Sequence, residues 1–228
     1  MPQAGFKLAP HNRPELPEFA GVLNEVATRG FTGVETSNLF RLAGDELRVR
    51  RLLSGAGLAL CGLHAEFAEF EDPERLAENM RYVQSLGSRY LLCSGVGDRA
   101  RGLAAYREAG KLFNAVGKRC QDAGLLFCYR HQTWEFEDRE GATCGMDVID
   151  RETDPKLVKL CVDVARLHQA EVEPVRFIND HRERAVYFHF TERQPDAGAD
   201  LDATYLAAVA LNPEWIVYAA ARSAEQPK

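Results

Sequence analysis

Eight short apolar or β-branched runs punctuate the chain at intervals of 26 to 37 residues, beginning at Gly5, Phe31, Gly57, Ser88, Leu125, Leu157, Ala185 and Glu214. Each interval fits one strand–helix–strand unit. Between the runs the apolar period switches to three and four, as in Phe19, Val22, Leu23 and Val26, or Leu76, Met80, Val83 and Leu86, which is the spacing of one helix face. Gly30, Gly87 and Gly124 follow such segments, where a left-handed helix stop is expected. Asp72-Pro73 and Asp154-Pro155 each offer an N-cap with Pro at the first helical position. Eight strands alternating with helices predict a single-domain α/β protein over residues 1–228, a (β/α)8 TIM barrel. An open doubly wound sheet would more often carry a Gly-rich phosphate loop after its first strand, and GFKLAPHNRP stands there instead. Only Ala220 to Lys228 follow the eighth run, so the final helix is expected to be short or absent.

The 228 residues are 46% hydrophobic, enough for one sizeable core. The net charge is −6 and the densest basic stretch, Arg48 to Arg51, is four residues long, so a nucleic-acid partner would lack its usual electrostatic footprint. No window approaches the roughly 18 apolar residues that a membrane span needs, which argues against a membrane partner. Met1-Pro2-Gln3-Ala4-Gly5 has neither the basic segment nor the apolar run of a signal peptide. The expected location is cytoplasmic. Cys61, Cys93, Cys128 and Cys161 lie within apolar runs and no C-x-x-C pair occurs. They read as reduced, buried, small hydrophobes.

In such a barrel, polar side chains at the C-terminal strand ends face the active-site mouth. Those ends carry His11 and Asn12, Glu35, His64, Ser94-Gly95-Val96-Gly97-Asp98, then Arg130, His131, Gln132 and Glu135, then Asp163 and Arg166, and finally His189 and Glu192. Four of the six histidines therefore fall at or just past strand ends, while His168 and His181 lie in flanking segments. Alternation of Tyr187 and His189 with Phe188 and Phe190 puts one of these sets inside the barrel. The Gly95-Val96-Gly97 turn could cradle a phosphate or simply reverse the chain.

These segments resemble those of a known family, the xylose-isomerase-like barrels. This sugar-phosphate isomerase/epimerase group also includes inosose dehydratases and an endonuclease branch. Gly30-Phe31-Thr32-Gly33-Val34-Glu35 is similar to its second strand, G-F-x-G-V-E. Tyr129 through Phe136 resembles its Y-H-N-H-x-x-E-F segment. Asp154 to Val158 followed by Val162-Asp163-Val164 resembles the run to its sixth-strand aspartate, and Arg184 through His189 the segment ending in its seventh-strand histidine. The likeness spans nearly the whole chain. It implies a divalent metal (manganese, magnesium, cobalt or zinc) held by Glu, Asp, His and Glu from the fifth to eighth strands. The matching positions are Glu135, Asp163 and His189. Such an ion would polarise a carbonyl and lower the barrier to an enediolate.

The departures from that pattern are as informative. Tyr218 and Ala219 stand where the last glutamate is expected. Arg130 replaces a His, Arg166 stands where His or Trp is common, and Thr191-Glu192 replaces Lys-Asp. Guanidinium groups suit a carboxylate or phosphate on a small-molecule substrate, or an internal acid such as Glu35 or Asp163. The resulting expectation is an isomerase or epimerase acting on a sugar, sugar phosphate or related polyhydroxy carbonyl compound. Glu35, His64 and Glu135 are candidates for acid/base work, and Arg130, His131, Trp134, Arg166 and Glu192 for substrate contact. Two alternatives stay open: a lyase or dehydratase on a keto-sugar or keto-inositol, and a metal-free barrel that binds an anionic metabolite without turnover. The short C-terminus also raises a homodimer as a hypothesis.

Overall fold

All eight runs form strands, and all pair in parallel. They are β1 (Gln3–Lys7), β2 (Gly33–Thr36), β3 (Ala59–Glu66), β4 (Tyr90–Ser94), β5 (Leu126–Arg130), β6 (Val158–Asp163), β7 (Ala185–Thr191) and β8 (Trp215–Ala219). The computed structural model describes residues 1–8, 16–37, 45–191 and 201–219. The sheet closes on itself in the order β1-β8-β7-β6-β5-β4-β3-β2, so the chain is a (β/α)8 barrel. The strands read as near-continuous apolar runs because both of their faces are buried, one inside the barrel and one under helices. The residues after Ala219, where the final helix is in question, lie outside the described residues, as do His11, Asn12 and Glu192.

Among the described residues the α-helices are α1 (Leu16–Thr28), α2 (Glu46–Gly55), α3 (Phe67–Glu71), α4 (Pro73–Ser85), α5 (Leu103–Asp122), α6 (Trp134–Glu137), α7 (Gly145–Glu152), α8 (Val164–Gln169), α9 (Pro174–Asp180) and α10 (Leu201–Ala210). Asp72 caps α4 as expected, accepting the Glu74 and Arg75 N–H groups, with Pro73 in the first turn. Asp154-Pro155 does not start a helix. Asp154 instead closes a single turn, accepting the Lys156 N–H on its side chain and the Leu157 and Val158 N–H groups on its carbonyl. Val158 already belongs to β6, so no room for a helix remains. The same acid–proline signal at Glu173-Pro174 does cap α9. No helix among the described residues is long and apolar enough to cross a membrane.

Cys61, Tyr90, Leu92, Cys128, Cys161, Tyr187, Trp215 and Val217 fill the barrel below its mouth. All six cysteines are free and buried, and burial pushes the Cys61, Cys128 and Cys161 thiols up. The Trp215 ring needs space that β2 provides, and Cys61 needs space beside β1. A Cβ on Gly33 would come within 2.7 Å of that ring, and one on Gly5 within 2.5 Å of Cys61 Sγ. The β2–β3 register slips by one residue between Val34–Leu60 and Glu35–Gly62, leaving Cys61 as an extra residue in β3. That bulge resets the alternation, so Cys61 and His64 can both face inward although three apart.

Candidate active site

Seven of the eight strands send a polar side chain into the mouth. On β1, Gly5 faces inward, and by alternation so does Lys7 two residues on. Its ammonium lies 2.8 Å from Glu35 Oε1 of β2 and 3.2 Å from His64 Nδ1 of β3. His64 Nε2 lies 3.0 Å from Ser94 Oγ of β4, which also accepts from Gln132 Nε2 at 3.3 Å. On β5, the Arg130 guanidinium pairs with Asp163 Oδ2 at the end of β6. His189 of β7 reaches Glu35 Oε2 with Nε2 at 2.5 Å and lies 4.0 Å from Asp163 Oδ2 with Nδ1. The result is one connected ring: Arg130, Asp163, His189, Glu35, Lys7, His64, Ser94 and Gln132. The exception is β8, whose position level with Lys7 is Ala219.

The protonation states follow from the neighbours. Burial alone would raise the Glu35 carboxyl, but the His189 and Lys7 charges and the His189 hydrogen bond hold it well below the usual range. Asp163 is likewise buried yet held low, chiefly by Arg130. Burial lowers His189 despite the opposing charge of Glu35. Burial lowers His64 too, helped by the Lys7 and Arg130 charges. At neutral pH the ring thus holds two carboxylates, two cations and neutral imidazoles. An ionised Glu35 can only accept, so His189 donates from Nε2 and carries its lone pair on Nδ1. That Nδ1 is buried without a hydrogen-bond partner, as is Arg130 Nε. By the same reasoning His64 accepts from Lys7 on Nδ1 and donates from Nε2 to Ser94.

The other expected residues fall outside the ring. Glu135 is fully buried, but it turns back to accept the Tyr129 hydroxyl on Oε1 and the Gln132 N–H on Oε2 at 2.7 Å. Tyr129 faces the helix layer, packed 4.9 Å from Phe113 of α5, so Glu135 is held behind the sheet. Burial raises its carboxyl. His131 lies between Phe136 and Phe177 and accepts the Asp163 N–H on Nε2 at 3.2 Å. Burial lowers it to about 4. Trp134 stacks under the Arg99 guanidinium, 4.7 Å from ring to charge. Arg166 bonds Gln169 Oε1 on its own helix at 2.8 Å. At the Gly95-Val96-Gly97 turn, Val96 is buried and Phe67 packs against Gly97. Ser94 and Gln132 of the ring stand among the polar strand ends without an expected role, and Lys7 is not among them. The signal for Lys7 was parity with Gly5, a residue forced inward by packing.

The metal set implied by the resemblance does not assemble. Among the described residues no group of three or more His, Cys, Asp and Glu side chains converges as a metal site. Each carboxylate already has a protein cation or hydrogen-bond donor beside both oxygens, with Glu35 Oε1 meeting Lys7 by charge alone and making no hydrogen bond. Glu35 has Lys7 and His189, Asp163 has Arg130 and the Arg166 N–H at 3.1 Å, and Glu135 has Tyr129 and Gln132. A unit cation repels a dication about 4 Å away by about 8 kcal/mol at an effective dielectric near 20, and this mouth holds two such cations. The donor set does not fit a resident divalent ion.

A closed parallel barrel with a ring of ionisable groups at its C-terminal mouth defines a TIM-barrel protein. Solved structures share this barrel fold over the whole chain. A sugar phosphate isomerase/epimerase from Parabacteroides distasonis is similar over 100% of this chain and 88% of its own, with TM-score 0.81 and 17% identity. An L-ribulose 3-epimerase matches over 100% and 84%, with TM-score 0.76 and 15% identity. A 3-keto-D-glucoside 4-epimerase from E. coli matches over 100% and 95%, with TM-score 0.75 and 15% identity. No protein-family model and no curated protein sequence matches the chain. At these identities the likeness establishes the fold, which hosts many chemistries.

Proposed function

We propose that this protein is an enzyme that moves a proton at a carbon beside a carbonyl, interconverting isomers or epimers of a sugar or related polyhydroxy compound. The observation that carries the reading is His189, a neutral imidazole whose Nε2 is tied to the Glu35 carboxylate at 2.5 Å, leaving an unpartnered lone pair on Nδ1. A carboxylate that fixes the tautomer and supports the imidazolium that forms is the arrangement a general base needs. Glu35 is then the positioning residue and His189 the base. Arg130, with an unpartnered Nε–H, faces the oxygen that gains charge as the C–H proton leaves. His64 and Ser94 stand by to hydrogen-bond hydroxyls. Lys7 and Arg130 balance Glu35 and Asp163, so the ring favours an uncharged polyhydroxy portion of the substrate over a bare phosphate. The sugar epimerases among the structural neighbours support this substrate class.

Elimination of water from the same enolate is the competing outcome, since both begin with the same proton abstraction. The test is incubation with a panel of ketoses, aldoses and keto-glycosides in D2O, read by NMR and mass spectrometry. Deuterium beside the carbonyl with the carbon skeleton's formula intact is the expected result, and His189→Gln should lose about 10²–10⁴-fold of it. A product lighter by one water would assign the lyase reading. No exchange in any of these compounds would overturn the proposal.

A further inference from the structure

The mouth contains its own positive charge. Lys7 and Arg130 sit on opposite sides of the Glu35–His189–Asp163 segment, each in ion contact with one carboxylate. They are also less buried than the three groups between them, with 20% and 14% of their side chains exposed against 5% or less. A ligand entering the mouth meets these two cations before it meets the acids. We propose that Lys7 and Arg130 take the place of a divalent ion in this barrel. The reaction is then metal-independent, and Lys7 supplies a direct contact to the substrate oxygen that becomes an enolate.

Three independent features support the substitution. Both ring carboxylates face protein cations or donors on both oxygens, Glu35 Oε1 through the Lys7 charge alone. The eighth-strand position that would complete an anionic set is a methyl group, and it lies level with Lys7 in the β1–β8 register. Glu135, the remaining acid, is turned to Tyr129 behind the sheet. In charge terms, two monovalent cations fixed on two strands replace one mobile dication. The proton balance closes: the C–H proton moves to His189 Nδ1 and returns to the neighbouring carbon as the hydroxyl proton passes between the two enediolate oxygens, while the ammonium and guanidinium donate hydrogen bonds and keep their protons.

This inference rests on the proton-transfer reading of the same mouth, so its test includes a readout that needs no substrate. The unmutated protein, Asp163→Ala and the doubly substituted Lys7→Met, Arg130→Met form are loaded with manganese or zinc, desalted and assayed for metal by elemental mass spectrometry. Manganese binding is titrated calorimetrically in parallel. The unmutated protein should retain well under one ion per chain, and the doubly substituted form should gain manganese binding because Glu35 and Asp163 lose their internal cations. Near-stoichiometric metal in the unmutated protein that disappears in Asp163→Ala would overturn the proposal. So would a folded doubly substituted form that gains none; if that form does not fold, Lys7→Gln alone is read the same way. In the exchange assay, EDTA should leave the rate unchanged. Lys7→Met should lower it by about 10²–10³-fold, with partial rescue by Lys7→Arg. Absence of exchange with every compound would sink the proposed reaction and the role of Lys7, and the metal result would still stand on its own.

Discussion

A single tautomer decides what the mouth can do. His189 would be an ambiguous imidazole without Glu35, and the 2.5 Å contact removes the ambiguity by spending Nε2–H on a carboxylate. The charge of Glu35 also opposes the burial that lowers His189. Glu35→Gln should therefore drop the His189 pKa further, and the acid limb of the kcat/KM profile should move to lower pH. The plateau should fall by about 10²–10⁴-fold as the base loses its orientation. An acid limb that moves to higher pH would refute the assignment of base and positioning residue. At this scale the sequence is unevenly legible. Glu35, His64, Asp163 and His189 were legible because they end strands, where side chains must face the mouth. Glu135 follows its strand by several residues, and the one-turn helix α6 aims it at Tyr129, a turn that strand-end position alone does not reveal. Lys7 carries no such mark, because a lysine near a strand end equally suits solvated surface.

Strands were easier to read than their registers. The apolar runs mark all eight because a parallel strand under helices is buried on both faces. The Cys61 bulge left no comparable trace, since an inserted residue in β3 looks like ordinary strand until its pairing partner is known. Packing inside the barrel carries a similar hidden constraint. Gly33 and Trp215 are far apart in the chain, yet a methyl group on one would press on the ring of the other at 2.7 Å. Gly33→Ala should cost about 1–3 kcal/mol in denaturant unfolding, the usual range for overpacking. In a Trp215→Leu background the same alanine has room, so its cost should shrink. The two losses should be non-additive, as expected for residues in contact; simple additivity would show that the ring does not set the size limit at position 33.

For the molecule as a whole, buried imidazoles and paired carboxylates both set a direction for acid unfolding. His64, His131 and His189 all have folded-state pKa values below the unfolded value near 6.5. The unfolded chain therefore binds more protons as pH falls, and stability is lost below about 6.5 at up to about 1.4 kcal/mol per pH unit for each histidine. Glu35 and Asp163 are depressed as well, so their contribution is present above the unfolded carboxylate range and disappears only as pH falls below it. His181 runs the other way, raised by Asp150 against its burial, so its contribution is lost as pH rises. Denaturation midpoints should fall from pH 7 towards pH 4. His131→Gln, which keeps an acceptor but cannot ionise, should flatten that slope by about one proton between 6.5 and about 4. An unchanged slope would mean that His131 is not buried in its neutral form. The silent strand has a different consequence. With polar groups on seven strands and a methyl group on β8 beside Lys7, the mouth has a wet arc and a dry one. A bound molecule cannot be turned over without trading hydroxyl contacts for C–H contacts. The barrel, built from near-identical repeats, is thereby able to tell left from right.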